Sequence, residues 1–328
     1  MKAIVYHKYG SPDVLKLTEI DTPAPQDDEV LIRVQAASVN AYDWHMLKAD
    51  PFLIRLMAGL FRPKHKILGV DVAGRVEAVG GNVKQFRPGD EVFGDVSARG
   101  GGGFAEYICA RESILALKPA RLTFEEAAAV PMAAVTALQG LRDKGNIQPG
   151  QKVLINGASG GVGTFAVQIA KSFGAEVTAV CSTRNLDMAR SIGADHVIDY
   201  TQENFARSGQ RYDQIFVANG YHPIRDYKRA LNPKGICVVA GGSMAQVFQV
   251  MLLGPWMSMT GSRKMVNYVA RPSQKDLVFM TELLEAGKVK PVIDRRYPLS
   301  EVAEAIRYLD EEHARGKVVI TVGHDHRT

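Results

Sequence analysis

No stretch of this 328-residue sequence runs to the roughly 18 uninterrupted apolar residues that a membrane-spanning helix needs, so no membrane span is expected. The opening MKAIVYHKYG also lacks the apolar core of a secretory signal, and the expected location is the cytoplasm. Cysteine is scarce. Cys109, Cys181 and Cys237 are odd in number, far apart and free of any C-x-x-C spacing, which argues against a disulfide framework and a thiolate zinc site. They are read as small buried hydrophobes. Charge of one sign is lacking too, since 40 Lys and Arg face 35 Asp and Glu for a net +5. The charges are interspersed except near LFRPKHK (Leu60 to Lys66). A balance this mild suits an anionic ligand. Without an RNA-binding or helix-turn-helix signature, no nucleic-acid partner is expected. No internal repeat is evident.

What the sequence does contain is length and hydrophobic content, 46% of residues, enough for two domains of ordinary size. The first 120 or so residues alternate short β-rich runs with Gly and Pro turn signals: KAIVYH, VLKLTEI, EVLIRVQAASV, GVDVAGRVEAVG, DEVFGDV and FAEYICA. From about Thr123 the rhythm becomes alanine-rich and then alternates strand with helix, predicting a parallel sheet. Its strands are KVLIN, EVTAVC, HVID, QIFVAN and ICVVAG, with a sixth near KMVNYVA. The last segment offers two amphipathic helices and a closing β run that can return to pack on the N-terminal region.

The stretch NGASGGVG, Asn156 to Gly163, follows a strand and opens a helix. A G-x-G-x-x-G pattern is weak evidence alone, but inside a βαβ unit it reads as a dinucleotide fingerprint. Gly160 and Gly163 take its second and third glycine positions, Ala158 stands in the first, and Gly161 adds another residue without a Cβ. The expected phosphate contacts are Ser159, Gly160, Gly161 and Val162, the amides of the last three lying at the helix N-terminus. The alternative is a tight strand-helix turn with no ligand.

An NAD fingerprint would place Asp or Glu about 20 residues further on, at the end of the second strand. Here that strand ends VCSTRN. Ser182, Thr183, Arg184 and Asn185 offer hydroxyl, guanidinium and amide donors, which suit a 2′-phosphate and favour NADPH over NADH. Arg184 can also be read as a solvated helix-start residue.

Several stretches together resemble the medium-chain dehydrogenase/reductase superfamily over essentially the whole chain: AASVNAYDWHMLKAD, LGVDVAGRVEAVG, FRPGDEVFG, GGFAEY, AAVPMAAVTAL, ASGGVG, GADHVIDY and EAGKVKPVID. They look like its zinc-independent quinone oxidoreductase branch. STRN, ANG and GKVVI are similar to chloroplast-envelope-type quinone oxidoreductase homologues. The resemblance implies an α/β protein. A GroES-like, mostly β catalytic domain is expected from residues 1–122 and 272–328, and a doubly wound Rossmann NADP-binding domain from residues 123–271. It places the active site in the cleft between them. It further implies cofactor contacts at Thr136, Tyr200, Asn219 and Gly241, and a homodimer joined along the Rossmann sheet edge. Without the family, Tyr200 is an ordinary strand-end aromatic and Thr136 a helix residue bonding its own backbone.

Zinc relatives ligate their metal with Cys, His and Cys, and the matching positions here are Asn40, Val70 and Met132, none a good Zn²⁺ ligand. The cysteine-rich lobe of those relatives is also missing, as only SARGGGG separates FGDV from FAEY. No metal is therefore expected. Adding hydride to the β-carbon of an enone gives a delocalised enolate that hydrogen-bond donors can stabilise, whereas an alkoxide calls for a Lewis acid. The expected activity is an NADPH-dependent reduction of α,β-unsaturated carbonyls or quinones. Asn40 is expected to orient substrate or nicotinamide, Tyr42 to donate its hydroxyl, and His45 to relay a proton; Asp43 can simply hold its loop. The alternative is an NADPH-binding sensor, or a structural or membrane-associated protein, with little turnover. The methionine-rich GSMAQVFQVMLLGPWMSMTGSRKM reads as core, subunit interface or pocket wall, the run Gly100 to Gly103 as a mobile turn, and GHDHRT as a disordered end.

Overall fold

The computed structural model describes residues 1–241, 249, 262–311 and 314–324. Fifteen strands are assigned among them. The first seven are β1 (Lys2–Val5), β2 (Lys16–Glu19), β3 (Glu29–Val39), β4 (Asp71–Val79), β5 (Glu91–Asp95), β6 (Tyr107–Arg111) and β7 (Leu115–Leu117). The next six are β8 (Lys152–Asn156), β9 (Glu176–Cys181), β10 (His196–Asp199), β11 (Tyr212–Val217), β12 (Leu231–Val239) and β13 (Lys264–Asn267). The last two are β14 (Ile293–Pro298) and β15 (Lys317–Thr321). Contacts gather the chain into two compact units: Met1–Met132 with Pro272–Glu285 and Ile293–Thr328, and Ala133–Arg271 with Ala286–Val292.

The first unit is a mostly antiparallel seven-stranded sheet in the order β14-β15-β3-β4-β5-β7, with β6 also paired to β3. The eleven-residue β3 is its spine, because EVLIRVQAASV is buried along nearly its whole length and bonds to β15, β4 and β6. The chain end does return: Val318 to Thr321 pair antiparallel with Val39 to Ala36. One strand, β14, escapes the sequence pattern because IDRRYP is polar, half-exposed and at the sheet edge, so burial leaves no alternation in it. The core joins Val30, Ile32 and Val34 of β3 to Phe104, Leu115, Ile306 and Ile320.

Residues 123–132, grouped from sequence with the nucleotide domain, fall in the first unit. Thr123 does start a helix, Phe124–Ala128, by a reciprocal cap: its hydroxyl accepts from Glu126 N–H while the Glu126 carboxylate accepts from Thr123 N–H. That helix packs on β3 and β4 and buries Ala127 and Ala128 there, which is why it belongs with them. Residues 286–292 go to the second unit, where Gln168 and Lys290 exchange two hydrogen bonds of 2.8 and 2.9 Å.

The second unit is a six-stranded, wholly parallel sheet in the order β10-β9-β8-β11-β12-β13. Renumbered from its own first strand, the order is 3-2-1-4-5-6, the doubly wound arrangement expected. Strands and the helix Gly161–Ser172 are apolar on most sides because both faces of the sheet are covered; eight of that helix's residues are buried.

Three side expectations meet the structure here. Gly100 to Gly102 adopt positive φ, and the amides of Gly102 and Gly103 bond to the carbonyls of Leu68 and Gly69 at 3.3 and 2.8 Å, so this is a bonded close approach rather than a mobile turn. Residues 242–248 and 250–261 of the methionine-rich stretch lie outside the described residues. Of the C-terminal GHDHRT, residues 325–328 lie outside them, while His324 meets the carbonyl of Val34 through Nε2 at 2.7 Å.

Candidate dinucleotide site and polar centre

In the second unit, β8 runs directly into the glycine turn. Gly157 is left-handed at φ +79, and a Cβ there would stand 2.8 Å from the backbone nitrogen of Asn219. Gly163 is needed for a different reason, since its Cβ would come within 2.0 Å of the Gly157 carbonyl oxygen. Ala158, read from sequence as occupying the first glycine position, is buried; the residue that makes the turn is Gly157, one place earlier. Gly160 differs from both. A Cβ on it would meet nothing nearer than 3.7 Å, so its missing side chain leaves open space above the helix start. Its own amide bonds back to Gly157 at 3.2 Å. The amides of Gly161, Val162 and Gly163, in the first helical turn, have no intrahelical acceptor, while half-exposed Ser159 flanks them. They and the aligned peptide dipoles favour a negative ligand.

Parallel pairing brings two more strand ends to this place. Ala218 N–H donates to the Asn156 carbonyl at 2.9 Å, and Asn156 Nδ2 donates to Asn219 O at 3.0 Å and to the Tyr227 hydroxyl at 3.1 Å. Asn219 closes its own turn by accepting from Gly220 N–H at 2.7 Å. Gly241 follows β12, and a Cβ on it would lie 2.6 Å from Ala218 O. The glycine turn, Asn219 and Gly241 therefore share the carboxyl end of the sheet, where the strand order reverses between β8 and β11, the position at which doubly wound sheets bind ligands. Thr136 lies in the helix Pro131–Leu138, its carbonyl accepting from the Tyr268 hydroxyl. Asn156 and Tyr227 were missed from sequence; the visible signal was a polar residue ending the apolar run KVLIN.

Ser182 to Asn185 follow β9 at the same end. Thr183 and Arg184 are exposed and Ser182 half-buried, but Asn185 is buried, with Nδ2 donating to Ser182 Oγ at 3.1 Å and Oδ1 lacking a hydrogen-bond partner among the described residues. The amide thus holds Ser182 in place. A carboxylate is present after all, supplied by the neighbouring strand: Asp199 of β10 pairs in register with Cys181. It accepts from the hydroxyl of Thr183 and from the hydroxyl and amide of Thr201, at 2.7 and 2.9 Å for the latter two. These donors, Thr183 foremost, hold its carboxyl below the usual range. Tyr200, next in sequence, is exposed and its amide donates to Cys181 O at 3.1 Å.

The first unit holds a separate polar centre where β3, β4 and β15 meet. Asp71, fully buried on β4, accepts from Ser38 Oγ at 2.9 Å, Asn40 Nδ2 at 2.9 Å, Met132 N–H at 2.8 Å and Lys317 Nζ at 3.2 Å. Lys317 Nζ also donates to Asn40 Oδ1 at 2.6 Å. Both ends of the Asn40 amide are therefore committed inside the unit, and a second Nδ2 contact reaches Ser38 O at 3.4 Å. The side chain thereby ties Lys317 to Asp71. Asp43 accepts from Asn40 N–H and Gly69 N–H at 2.9 and 2.8 Å, holding the loop as read, and burial pushes its carboxyl up to about 7. Asp95, also buried, is pushed up to about 7 by burial and then by Asp71. A lysine and an aspartate buried together satisfy charge that either alone could not bear. Asp71, Asp95 and Lys317 were not picked out from sequence, although a charge inside GVDVAG and GKVVI was the available signal.

Tyr42 and His45 lie on the helix Ala41–Lys48 that begins beside this centre. Burial first, then Asp43 and Asp95, raises the pKa of the half-buried Tyr42, so its hydroxyl stays protonated and able to donate. His45 Nδ1 is 2.7 Å from the carbonyl of Asp50; a carbonyl only accepts, so Nδ1 carries the proton and Nε2 is left for another partner. The remaining zinc-matched positions are Val70, which is buried, and Met132, which is half-buried. Among the described residues no three His, Cys, Asp or Glu side chains are grouped to hold a metal. With the amide of Asn40 spent on an ammonium and a carboxylate, this donor set does not fit Zn²⁺.

Comparison with known proteins agrees with this geometry. A family model described as "Alcohol dehydrogenase GroES-like domain" matches residues 26–120, and one described as "Zinc-binding dehydrogenase" matches residues 192–320. The chain is 37% identical to the chloroplast envelope quinone oxidoreductase homolog of Arabidopsis thaliana, over 98% of each chain. It is 37% identical to a chloroplastic NADPH-dependent alkenal/one oxidoreductase of the same plant, over 98% of this chain and 79% of that one. Among solved structures, the quinone oxidoreductase from Coxiella burnetii superposes with a TM-score of 0.87 at 30% identity, covering 98% of this chain and 99% of the other.

Proposed function

The chain belongs to the medium-chain dehydrogenase/reductase superfamily, in its quinone oxidoreductase branch, and on that premise we propose that it reduces α,β-unsaturated carbonyls or quinones with NADPH and without zinc. Similarity to a quinone oxidoreductase homolog and to an NADPH-dependent alkenal/one oxidoreductase supports the reaction class. The observation that carries the cofactor reading is the open space above Gly160 beside the free amides of Gly161 to Gly163, with Arg184 exposed at the next strand end. The mismatch between the Asn40, Val70 and Met132 positions and any zinc donor set supports the metal-free part.

Bound NADPH supplies a hydride. The chain's own residues do the rest. First-turn amides hold the diphosphate, flanked by Ser159, with Asn219, Gly241, Tyr200 and Thr136 completing the cofactor contacts. Ser182 and Arg184 take the 2′-phosphate, while Thr183 spends its hydroxyl proton on Asp199; Asp199 does not oppose the phosphate strongly, because three donors already satisfy its carboxylate. Tyr42, kept protonated by burial, donates to the acceptor's carbonyl oxygen as enolate charge develops there. The enolate takes its proton at the α-carbon or oxygen from Tyr42 or water. His45, whose unprotonated Nε2 first accepts a proton from solvent, passes it on to restore that donor, while Asn40, Asp71 and Lys317 are positioning residues that anchor the Tyr42 helix. We place the working protein in the cytoplasm as a homodimer.

The test is turnover of a panel of enones, enals and quinones with NADPH, with product analysis. A saturated ketone or aldehyde marks addition at the β-carbon, a hydroquinone marks two-electron quinone reduction, and a semiquinone marks one-electron transfer. Tight NADPH binding with no acceptor reduced would sink the enzyme reading and leave a cofactor-binding sensor or structural protein.

A further inference from the structure

The segment 52–66 of the first unit takes no part in either site, yet it carries an unusual surface. Phe52, Leu53, Leu56, Leu60 and Phe61 are 62%, 59%, 67%, 45% and 86% exposed, five large apolar side chains within ten residues. Scattered single exposed hydrophobes need no explanation, but five within ten consecutive residues point to an interaction surface. Within the segment the charge has one sign, the nearest acidic residue in sequence being the exposed Asp50. From Pro51 to Val70 there is no Asp or Glu, while Arg55, Arg62, Lys64 and Lys66 are cationic and the last three are exposed.

Part of the segment's backbone is already hydrogen-bonded. Ile54 and Arg55 N–H donate to Pro51 O and Phe52 O at 2.9 and 3.0 Å, Leu56 N–H to Leu53 O at 3.1 Å, and Lys64 N–H to Ala58 O at 2.8 Å. Gly59 is engaged twice, its amide with Arg55 O at 2.9 Å and its carbonyl with the Tyr9 hydroxyl at 2.6 Å. Arg55 lies over the rings of Tyr9 and Phe52, 5.0 and 5.2 Å from their centroids, so its charge sits on apolar surface. Partly paired backbone and protruding Leu and Phe beside exposed Arg62, Lys64 and Lys66, with Asp50 the nearest carboxylate in sequence, are the features of a segment that lies in a membrane interface. An acidic protein surface would match the cations but would not call for five unshielded apolar side chains.

We propose that residues 52–66 dock the protein on an anionic lipid bilayer, Phe52, Leu53, Leu56, Leu60 and Phe61 entering the headgroup region and Arg62, Lys64 and Lys66 meeting lipid phosphates. The proposal stands apart from the reductase reading, because neither cofactor nor acceptor enters its test. The test is flotation with vesicles of phosphatidylglycerol and phosphatidylcholine in equal parts, against vesicles of phosphatidylcholine alone. The wild type should float with the anionic vesicles and be released by high salt. Leu56→Asp with Phe61→Asp should weaken binding about tenfold or more, since each side chain transferred from water is worth that much. Lys64→Glu with Lys66→Glu should abolish the preference for anionic lipid. Both variants should melt with the wild type, since the replaced side chains are exposed. Wild-type protein that stays below the vesicles, or an L56D/F61D variant that floats as well as wild type, overturns it. So does an L56D/F61D variant that turns a dimer into a monomer without any vesicle binding, which would make the patch a contact between copies.

Discussion

Asp95 shows how a single buried carboxyl links this structure to pH. Burial and the neighbouring Asp71 push it up to about 7, so the folded chain keeps a proton that the unfolded chain releases in the ordinary carboxylate range. Stability from this group is present in full below about pH 4 and is lost as pH rises through about 7. Asparagine cannot ionise and retains the oxygen that accepts from Ser97 N–H at 2.8 Å. Asp95→Asn should therefore gain on the wild type by about 1–3 kcal/mol between about pH 5 and pH 8. Urea unfolding at the two pH values measures this; equal differences at both would remove Asp95 from the balance. At this scale the candidate phosphate donors Ser182 and Arg184 were legible because hydroxyl and guanidinium groups at a strand end suit phosphate chemistry. Asp71, Asp95 and Lys317 were not, because their meaning lies in partners up to 277 positions apart, as for Asn40 and Lys317.

The element that matters most is the turn from β8 into the helix Gly161–Ser172, and its glycines do different jobs. Gly163 makes room for Gly157 O, so Gly163→Ala forces backbone apart and should cost about 1–3 kcal/mol, read as a lowered Tm. Gly160→Ala has space and an ordinary φ of -82, so it should leave Tm nearly unchanged while weakening NADPH at least tenfold by filling the diphosphate cradle. Calorimetric titration beside a melt separates the two, and unchanged NADPH affinity in Gly160→Ala would move the diphosphate elsewhere. The strand-helix context made this turn readable, but not which residue turns it. Gly157 rather than Ala158 does so because the end of β11 presses against it, a contact from Asn219 that no local spacing announces. Likewise β14 was invisible since a half-exposed edge strand has no reason to alternate.

For the whole molecule, a ligand that binds only the folded chain must stabilise it. NADPH at 100 times its dissociation constant should add about 2.7 kcal/mol, visible as a raised Tm. NADH at the same concentration should raise it less, and Arg184→Ala should bring the two cofactors together by weakening NADPH selectively. Equal shifts for both cofactors in the wild type would contradict the 2′-phosphate assignment.

Composition and short-range pattern determined a great deal here: the parallel sheet, the place of the glycine turn and the donors after β9. Each is set by a residue's own chemistry or by neighbours within one strand-turn-helix unit. Only the tertiary structure decided that Asn40 is spent on Lys317 and Asp71, that Asp199 from an adjacent strand faces Thr183, and that Gly157 makes the turn. Those facts depend on parallel and antiparallel register between segments far apart in the chain, and hydrogen-bond partners chosen by register leave no periodic trace in the sequence.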